Sequence, residues 1–304
     1  MKEIHDKVDW SSARTLIPPA DFSFFTNPNE TSLFFNDVES VVYGSVKAFF
    51  FDFSKLEILG VDSLMCLKAI FFNINRNTRI QKTFSGNYPA NIDIAKRLLL
   101  SGFIGQSINR PTISYNNTYK MINGKKVRTD VLRTLCIFVQ NYLNISKIDT
   151  RNLYHMLQEL MGNTNEHAYD KRSKSLHEWY IFAEGGNDLV KFVFLDTGKG
   201  IPETVKKKPL EKLAKILNIN DDAELIWSAF DGQILRSQTE DDHRGKGLPD
   251  IYEMCIKGYI RNLKVISNRG FCKYIDYKNR ESIRIDSPLA GTLFNWELRK
   301  ADIL

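Results

Sequence analysis

The stretch ELMGNTNEHAY, Glu159 to Tyr169, places two carboxylates, two amides and an imidazole within eight residues of one another. At 3.6 residues per turn, Glu159, Asn163, Glu166 and Asp170 fall on one narrow stripe, with His167 at its edge. Carboxylates and an amide gathered on one side of a helix are candidates for chemistry. A solvated polar face is the competing reading of the same stripe. Three further segments add to it. DTGKGIP puts Asp196 at the end of an apolar run, with Gly198 and Gly200 behind it and Lys199 between them. HRGKGLPD puts Arg244, Gly245, Lys246, Gly247 and Leu248 at the start of a helical pattern, and AGTLFNWEL opens on Gly291-Thr292. Glycines two apart let a backbone approach closely or turn through positive φ, as wrapping phosphate oxygens requires. A helix start after such a loop favours anions. Each GxG alone is a weak signal, and the four segments in this order are a strong one.

The elements that must hold these residues follow from the apolar pattern. Leu153, Met156, Leu157, Leu160, Met161, Thr164 and Ala168 form the face beside the polar stripe, so the helix buries one side. EWYIFAEGGNDLVKFVFLD reads as a hairpin about Gly-Gly-Asn-Asp whose second strand ends at Asp196. PLEKLAKIL and AELIWSAF have helical spacing within the long stretch between the two glycine pairs, and GLPDIYEMCIKGYI is a further helix. NLKVISNRG, FCKYIDY, SIRIDS and GTLFNWELR read as four short strands. Upstream, VKAFFFDFSKL, VDSLMCLKAIFFNIN, RIQKTFSG and NYPANIDIAKRLLLSGF alternate strand, helix, strand, helix, an α/β layer. Asn123-Gly124 predicts a hairpin turn, and VLRTLCIFVQNYLN a helix. The expected organisation is an α/β domain over residues 1–105, a connecting segment with one helix over 106–148, and a site-bearing domain over 149–304.

These motifs resemble the GHKL, or Bergerat-fold, ATPases, a family that includes gyrase, the heat-shock chaperone, histidine kinases and mismatch-repair ATPases. ELMGNTNEHAY is similar to that family's N box, DTGKGI to its first glycine box, RGKGL to its second, and Gly291-Thr292 to its late Gly-Thr. A P-loop is absent, since no Gly-Lys precedes Ser or Thr. The resemblance implies an α/β sandwich with a mixed, mostly antiparallel sheet and helices on one face, binding ATP and Mg²⁺. It implies that Asn163 holds Mg²⁺, that Glu159 activates the attacking water, and that Asp196 accepts from the adenine amine with support from Thr292. Gly198 and Gly200 would then pass close to the base, while Gly245 and Gly247, with Lys246, Arg244 and Leu248, would cover the phosphates. His167 matches a position where relatives carry His, with a packed helix histidine as the alternative. Arg244 and Lys199 are each a phosphate contact or an ordinary loop cation.

Residues 1–105 resemble STAS-like domains of anti-anti-sigma factors, in which a Ser after Asp is a phosphoacceptor. Asp62-Ser63 lies near that place, but Leu64-Met65 replaces the Ser-Gly that follows, and a helix N-cap is the other reading of Ser63. Three functions follow from the resemblance. They are an ATP-hydrolysing switch acting on a partner protein or a second copy, an anti-sigma-type serine kinase, and a nucleotide-dependent sensor with little turnover. A bacterial regulatory or defence system is the implied setting.

Composition sets the outer bounds. The 304 residues are 43% hydrophobic and 26% charged, ample for a buried core. The net charge of +6 fits a polyanion such as ATP and gives only slight support to nucleic acid. Cys66, Cys136, Cys255 and Cys272 lack CxxC spacing, which points to reduced thiols. MKEIHDKVDWSSARTL has no apolar signal core and no run approaches the ~20 apolar residues of a membrane span, so a cytoplasmic protein is expected.

Overall fold

The computed structural model describes residues 10–76, 82–103, 113–114, 117–166, 177–207, 220–232, 247–276 and 279–303. It is a mixed α/β structure with sheets of both parallel and antiparallel type. The chain divides into two compact units, 1–104 and 105–304.

In the first unit, β1 (Arg14–Leu16), β3 (Ala48–Phe51) and β5 (Thr83–Gly86) form a parallel sheet in the order β1-β3-β5. A second parallel pair joins β2 (Asp21–Phe22) to β4 (Ile58–Leu59). Parallel neighbours need crossovers. These are α1 (Pro28–Tyr43) and α2 (Val61–Arg76), followed after β5 by α3 (Ile92–Leu100). The expected strand, helix, strand, helix series is therefore present as β3, α2, β5 and α3. Asn91 caps α3, its side chain accepting from the backbone N–H groups of Asp93 and Ile94. The core is rich in phenylalanine: Phe22 lies edge-on to Phe34, and Phe71 stacks on Phe84 with ring centroids 4.2 Å apart.

The second unit is built on one antiparallel sheet in the order β10-β11-β9-β8-β7-β6. Its strands are β6 (Ile113–Ser114), β7 (Thr118–Gly124), β8 (Trp179–Gly186), β9 (Leu189–Asp196), β10 (Arg261–Tyr274) and β11 (Arg280–Arg299). Every described pair in it is antiparallel, where a mixed sheet was expected. The β8–β9 hairpin turns at Asn187 and Asp188, both at positive φ, the geometry that suits two-residue hairpins. Helices α4 (Thr129–Leu143), α5 (Arg151–Glu166), α7 (Asp222–Phe230) and α8 (Gly247–Ile256) share one core with Trp179, Ile181, Phe192, Phe194, Phe294 and Trp296 of the sheet. The short α6 (Ile201–Lys206) follows β9. Tyr180, Phe182, Val193 and Leu195 on the opposite strand face are buried as well, which explains why these strands read as unbroken apolar runs.

Three expectations change. The stretch expected as a connector supplies core elements: β7 pairs with β8, and α4 supplies Val131, Leu132, Leu135 and Val139 to the core. Asn123-Gly124 is not a turn but the end of β7, opposite Tyr180 and Trp179. The four short runs near the C-terminus are two long strands whose ladder shifts register at Ser267–Asn268 and Asn268–Gly270. AELIWSAF is α7, while PLEKLAKIL lies outside the described residues. All four cysteines are buried and free. Among the described residues no helix is long and apolar enough to cross a membrane.

Candidate functional site

Helix α5 faces two ways, as its pattern requires. Leu153, Met156, Leu157, Leu160, Met161 and Thr164 are all buried. Each of the leucines and methionines contributes on the order of 1.5–3 kcal/mol by leaving water. Glu159 and Asn163, on the adjacent face, remain half-buried. Gly247, the first residue of α8, packs directly on them. A Cβ built at Gly247 would lie 2.8 Å from Glu159 Oε2 and 3.5 Å from Asn163 Nδ2. A larger residue would press on the Glu159 side chain and touch Asn163. The packing brings the positive end of α8 to the polar stripe of α5.

Asp196 ends β9 between two strands, opposite Trp179 of β8 on one side and Thr292 of β11 on the other. Its Oδ1 accepts from the Gly198 N–H at 2.8 Å. The Thr164 side chain also bonds to its carboxylate. The Thr164 hydroxyl lies 3.3 Å from the Leu160 carbonyl as well, so its one hydrogen serves one acceptor at a time. Burial pushes the Asp196 carboxyl up to about 6, against the lowering effect of the Gly198 and Thr164 hydrogen bonds.

The glycines are required by close packing at two places. Gly291 has φ of 101°, and a Cβ there would fall 1.9 Å from the Asp196 carbonyl oxygen. Gly200 has φ of 85°, and its Cβ would meet Asn268 Oδ1 at 2.4 Å and Ser267 Oγ at 2.7 Å. Ser267 ties these ends together. Its Oγ accepts from the Ile201 N–H at 2.9 Å, donates to the Gly291 carbonyl at 2.9 Å, and lies 2.9 Å from Thr292 Oγ1. With its one hydrogen on Gly291, Ser267 can only accept from Thr292. The Thr292 hydroxyl hydrogen is thereby committed, and Thr292 offers lone pairs to a neighbour. Beyond α6, Asp222 accepts from Lys206 Nζ at 3.1 Å and from the Arg269 N–H at 3.0 Å, joining α6, α7 and β10.

The described site residues therefore form two adjoining sets. Glu159, Asn163 and Gly247 meet at the α5–α8 contact, and Leu248 packs into the core beside them. Asp196, Gly198, Gly200 and Thr292 meet at the end of β9, and Thr164 of α5 links the two sets. Lys199 is half-buried in the loop after β9. His167, Arg244, Gly245 and Lys246 lie outside the described residues. Ser63 stands apart, in the other unit. It is the third residue of α2, fully buried, and among the described residues its Oγ has no hydrogen-bond partner. It is neither an N-cap nor accessible to a phosphate donor in this conformation. Sequence reasoning missed Thr164 and Ser267. Thr164 counted as part of the apolar face, which it is by burial, and Ser267 sits in a strand with no local mark of its role.

No protein-family model matches the chain, and no curated protein matches it either.

Proposed function

We propose that residues 105–304 bind ATP with Mg²⁺ and hydrolyse it as a conformational switch of the Bergerat type, acting on a partner protein or a second copy of the chain. The observation that carries this reading is the contact of Gly247 with Glu159 and Asn163, two motifs far apart in sequence that share one function in the family resembled. The adjoining Asp196 end supports it, because a half-buried carboxylate flanked by glycines suits the exocyclic amine of a purine.

In this reading Asn163 offers its amide oxygen to Mg²⁺, which neutralises phosphate charge when bound. Among the described residues no group of three His, Cys, Asp or Glu could hold a metal alone. Glu159 orients and deprotonates the attacking water. Asp196 accepts from the adenine amine, and Thr292, its own hydrogen committed to Ser267, adds lone pairs to the same edge. Arg244, Gly245 and Lys246 lead into α8 and would cover the phosphates, with its N-terminus adding positive potential.

The first unit, STAS-like by resemblance, would serve as the region that reads or relays the nucleotide state. Burial of Ser63 weighs against the serine-kinase alternative with that residue as acceptor. The test follows the γ-phosphate of labelled ATP with Mg²⁺ and the full chain, beside Glu159→Ala. Label should appear as free phosphate, and the variant should lose on the order of 100-fold or more of that rate while still binding ATP. Label retained on the polypeptide would favour a kinase. Bound but intact ATP would favour a sensor, and absence of ATP binding would overturn the reading.

A further inference from the structure

The second unit also carries a groove of about 540 Å³ between α4 and the start of α5. One wall is a single stripe of α4, on which Arg133, Ile137 and Gln140 recur at helical steps. The other wall carries Lys147, Arg151 and Tyr154. The base is fixed, because Gln140 Nε2 donates to Thr150 Oγ1 at 2.7 Å and Cys136 Sγ lies 3.8 Å from the Thr150 carbonyl.

The charge in this groove is one-sided. Arg133, Lys147 and Arg151 are exposed, and among the described residues no carboxylate lines the space. The nearest acids in sequence are engaged: Asp130 pairs with Arg128, and Asp149 accepts from the Ser146 N–H at 2.7 Å. Other arginines of this unit have acidic partners, as in Arg261–Asp302, Arg280–Asp231 and Arg299–Glu297. Among the described residues Arg133 and Lys147 have no such partner, and Arg151 meets the Ile148 carbonyl at 3.4 Å. Between the cations Ile137 is 42% exposed, a large apolar side chain left open to water. From Thr129 to Gln140 the α4 wall runs roughly 16 Å at 1.5 Å per residue. A lone anion would need converging cations, whereas these stand on two walls about an apolar centre.

We infer that this groove docks an acidic segment of a partner protein, with carboxylates on Arg133, Lys147 and Arg151 and an apolar anchor on Ile137. Helix-in-groove recognition uses this combination of apolar anchor and charged rim. The inference stands independently of the nucleotide reading, although Arg151 and Glu159 share one helix.

The test titrates the full chain into a fluorescein-labelled peptide of Glu and Leu in amphipathic helical order, read by anisotropy at low salt. A Lys-for-Glu counterpart and a labelled oligothymidylate of similar charge are run beside it. The Glu/Leu peptide should bind, and Arg133→Glu combined with Arg151→Glu should weaken it about tenfold or more. Ile137→Glu should weaken it as well. All three positions are exposed, and a thermal melt checks that each variant folds; Lys147→Glu replaces any that does not. The inference is overturned if the Lys/Leu peptide binds equally, if charge reversal changes nothing, or if no peptide binds. Tighter oligothymidylate binding, lost in the same variants, would overturn it in favour of a nucleic-acid surface.

Discussion

Asp62, buried in the first unit, and Asp196, half-buried in the second, are two carboxyls pushed up to about 6 by the same cause, loss of water. Their surroundings differ. Asp62 accepts from Ser23 Oγ at 3.0 and 3.2 Å and from the Phe24 N–H at 2.5 Å. It pins the start of α2 to the segment after β2, close to stacked Phe22, Phe24 and Phe35. Among the described residues Asp196 takes one backbone amide and one hydroxyl, and Gly198 and Gly291 approach it without side chains to fill the space. A raised carboxyl pKa thus marks loss of water in both places. What separates a structural carboxylate from a candidate binding one is whether its remaining lone pairs face a partner already in the fold.

The largest expected effect tests that distinction directly. Asp62→Ala leaves the Ser23 hydroxyl and the Phe24 N–H without their acceptor inside the core, and should lower unfolding free energy by about 3 kcal/mol in urea titrations. ATP affinity of the folded fraction should not change. A comparable loss of ATP affinity in that variant would erase the contrast between the two carboxylates.

Asp196→Asn should show the reverse pattern, with little change in unfolding but about tenfold to hundredfold weaker ATP binding by calorimetry. The pH dependence sharpens it. An ionised Asp196 is the better acceptor, so affinity should rise from pH 5 to pH 7 with a midpoint near 6, and the Asn variant should flatten that rise. Stability runs the other way. The folded state holds this proton more tightly than the unfolded chain does, so the contribution of each raised carboxyl is greatest below about pH 4. It declines as pH climbs through about 6. The smallest effect is expected for Ser63→Ala. Removing a buried hydroxyl that has no partner should change stability by less than about 1 kcal/mol, in the stabilising direction, and leave any labelling from ATP unaltered.

How far the sequence could be read depended on how local each signal is. The β8–β9 hairpin was legible because Asn187 and Asp188 tolerate the positive φ that the turn demands. The two faces of α5 were legible because their period lies within one element. β7 was not, because its partner β8 is remote in sequence and its own run, TYKMING, mixes polar and apolar residues. β10 and β11 read as fragments because Asn268, Gly270 and Gly291 break the apolar alternation where the ladder shifts but continues. Within the site, Glu159, Asn163 and the glycines stood out as types at intervals. Thr164 and Ser267 act through hydroxyls whose partners come from other elements, and one sequence holds no trace of those distances.

The placement of Asn123-Gly124 inside β7 bears on how the protein ages. This dipeptide is prone to cyclise, the Gly124 nitrogen attacking the Asn123 side-chain carbonyl carbon with loss of ammonia, and the ring then opens to aspartate or isoaspartate. Cyclisation needs a backbone free to bend. Here Asn123 and Gly124 are held in register against Tyr180 and Trp179, and the Asn123 amide donates to Glu178 Oε2 at 2.8 Å. Trp179 also fills the space where a Gly124 side chain would stand. The ladder therefore acts as a preservative for a perishable bond, and aspartate accumulating at position 123 would be a chemical clock for how often this part of the sheet comes open.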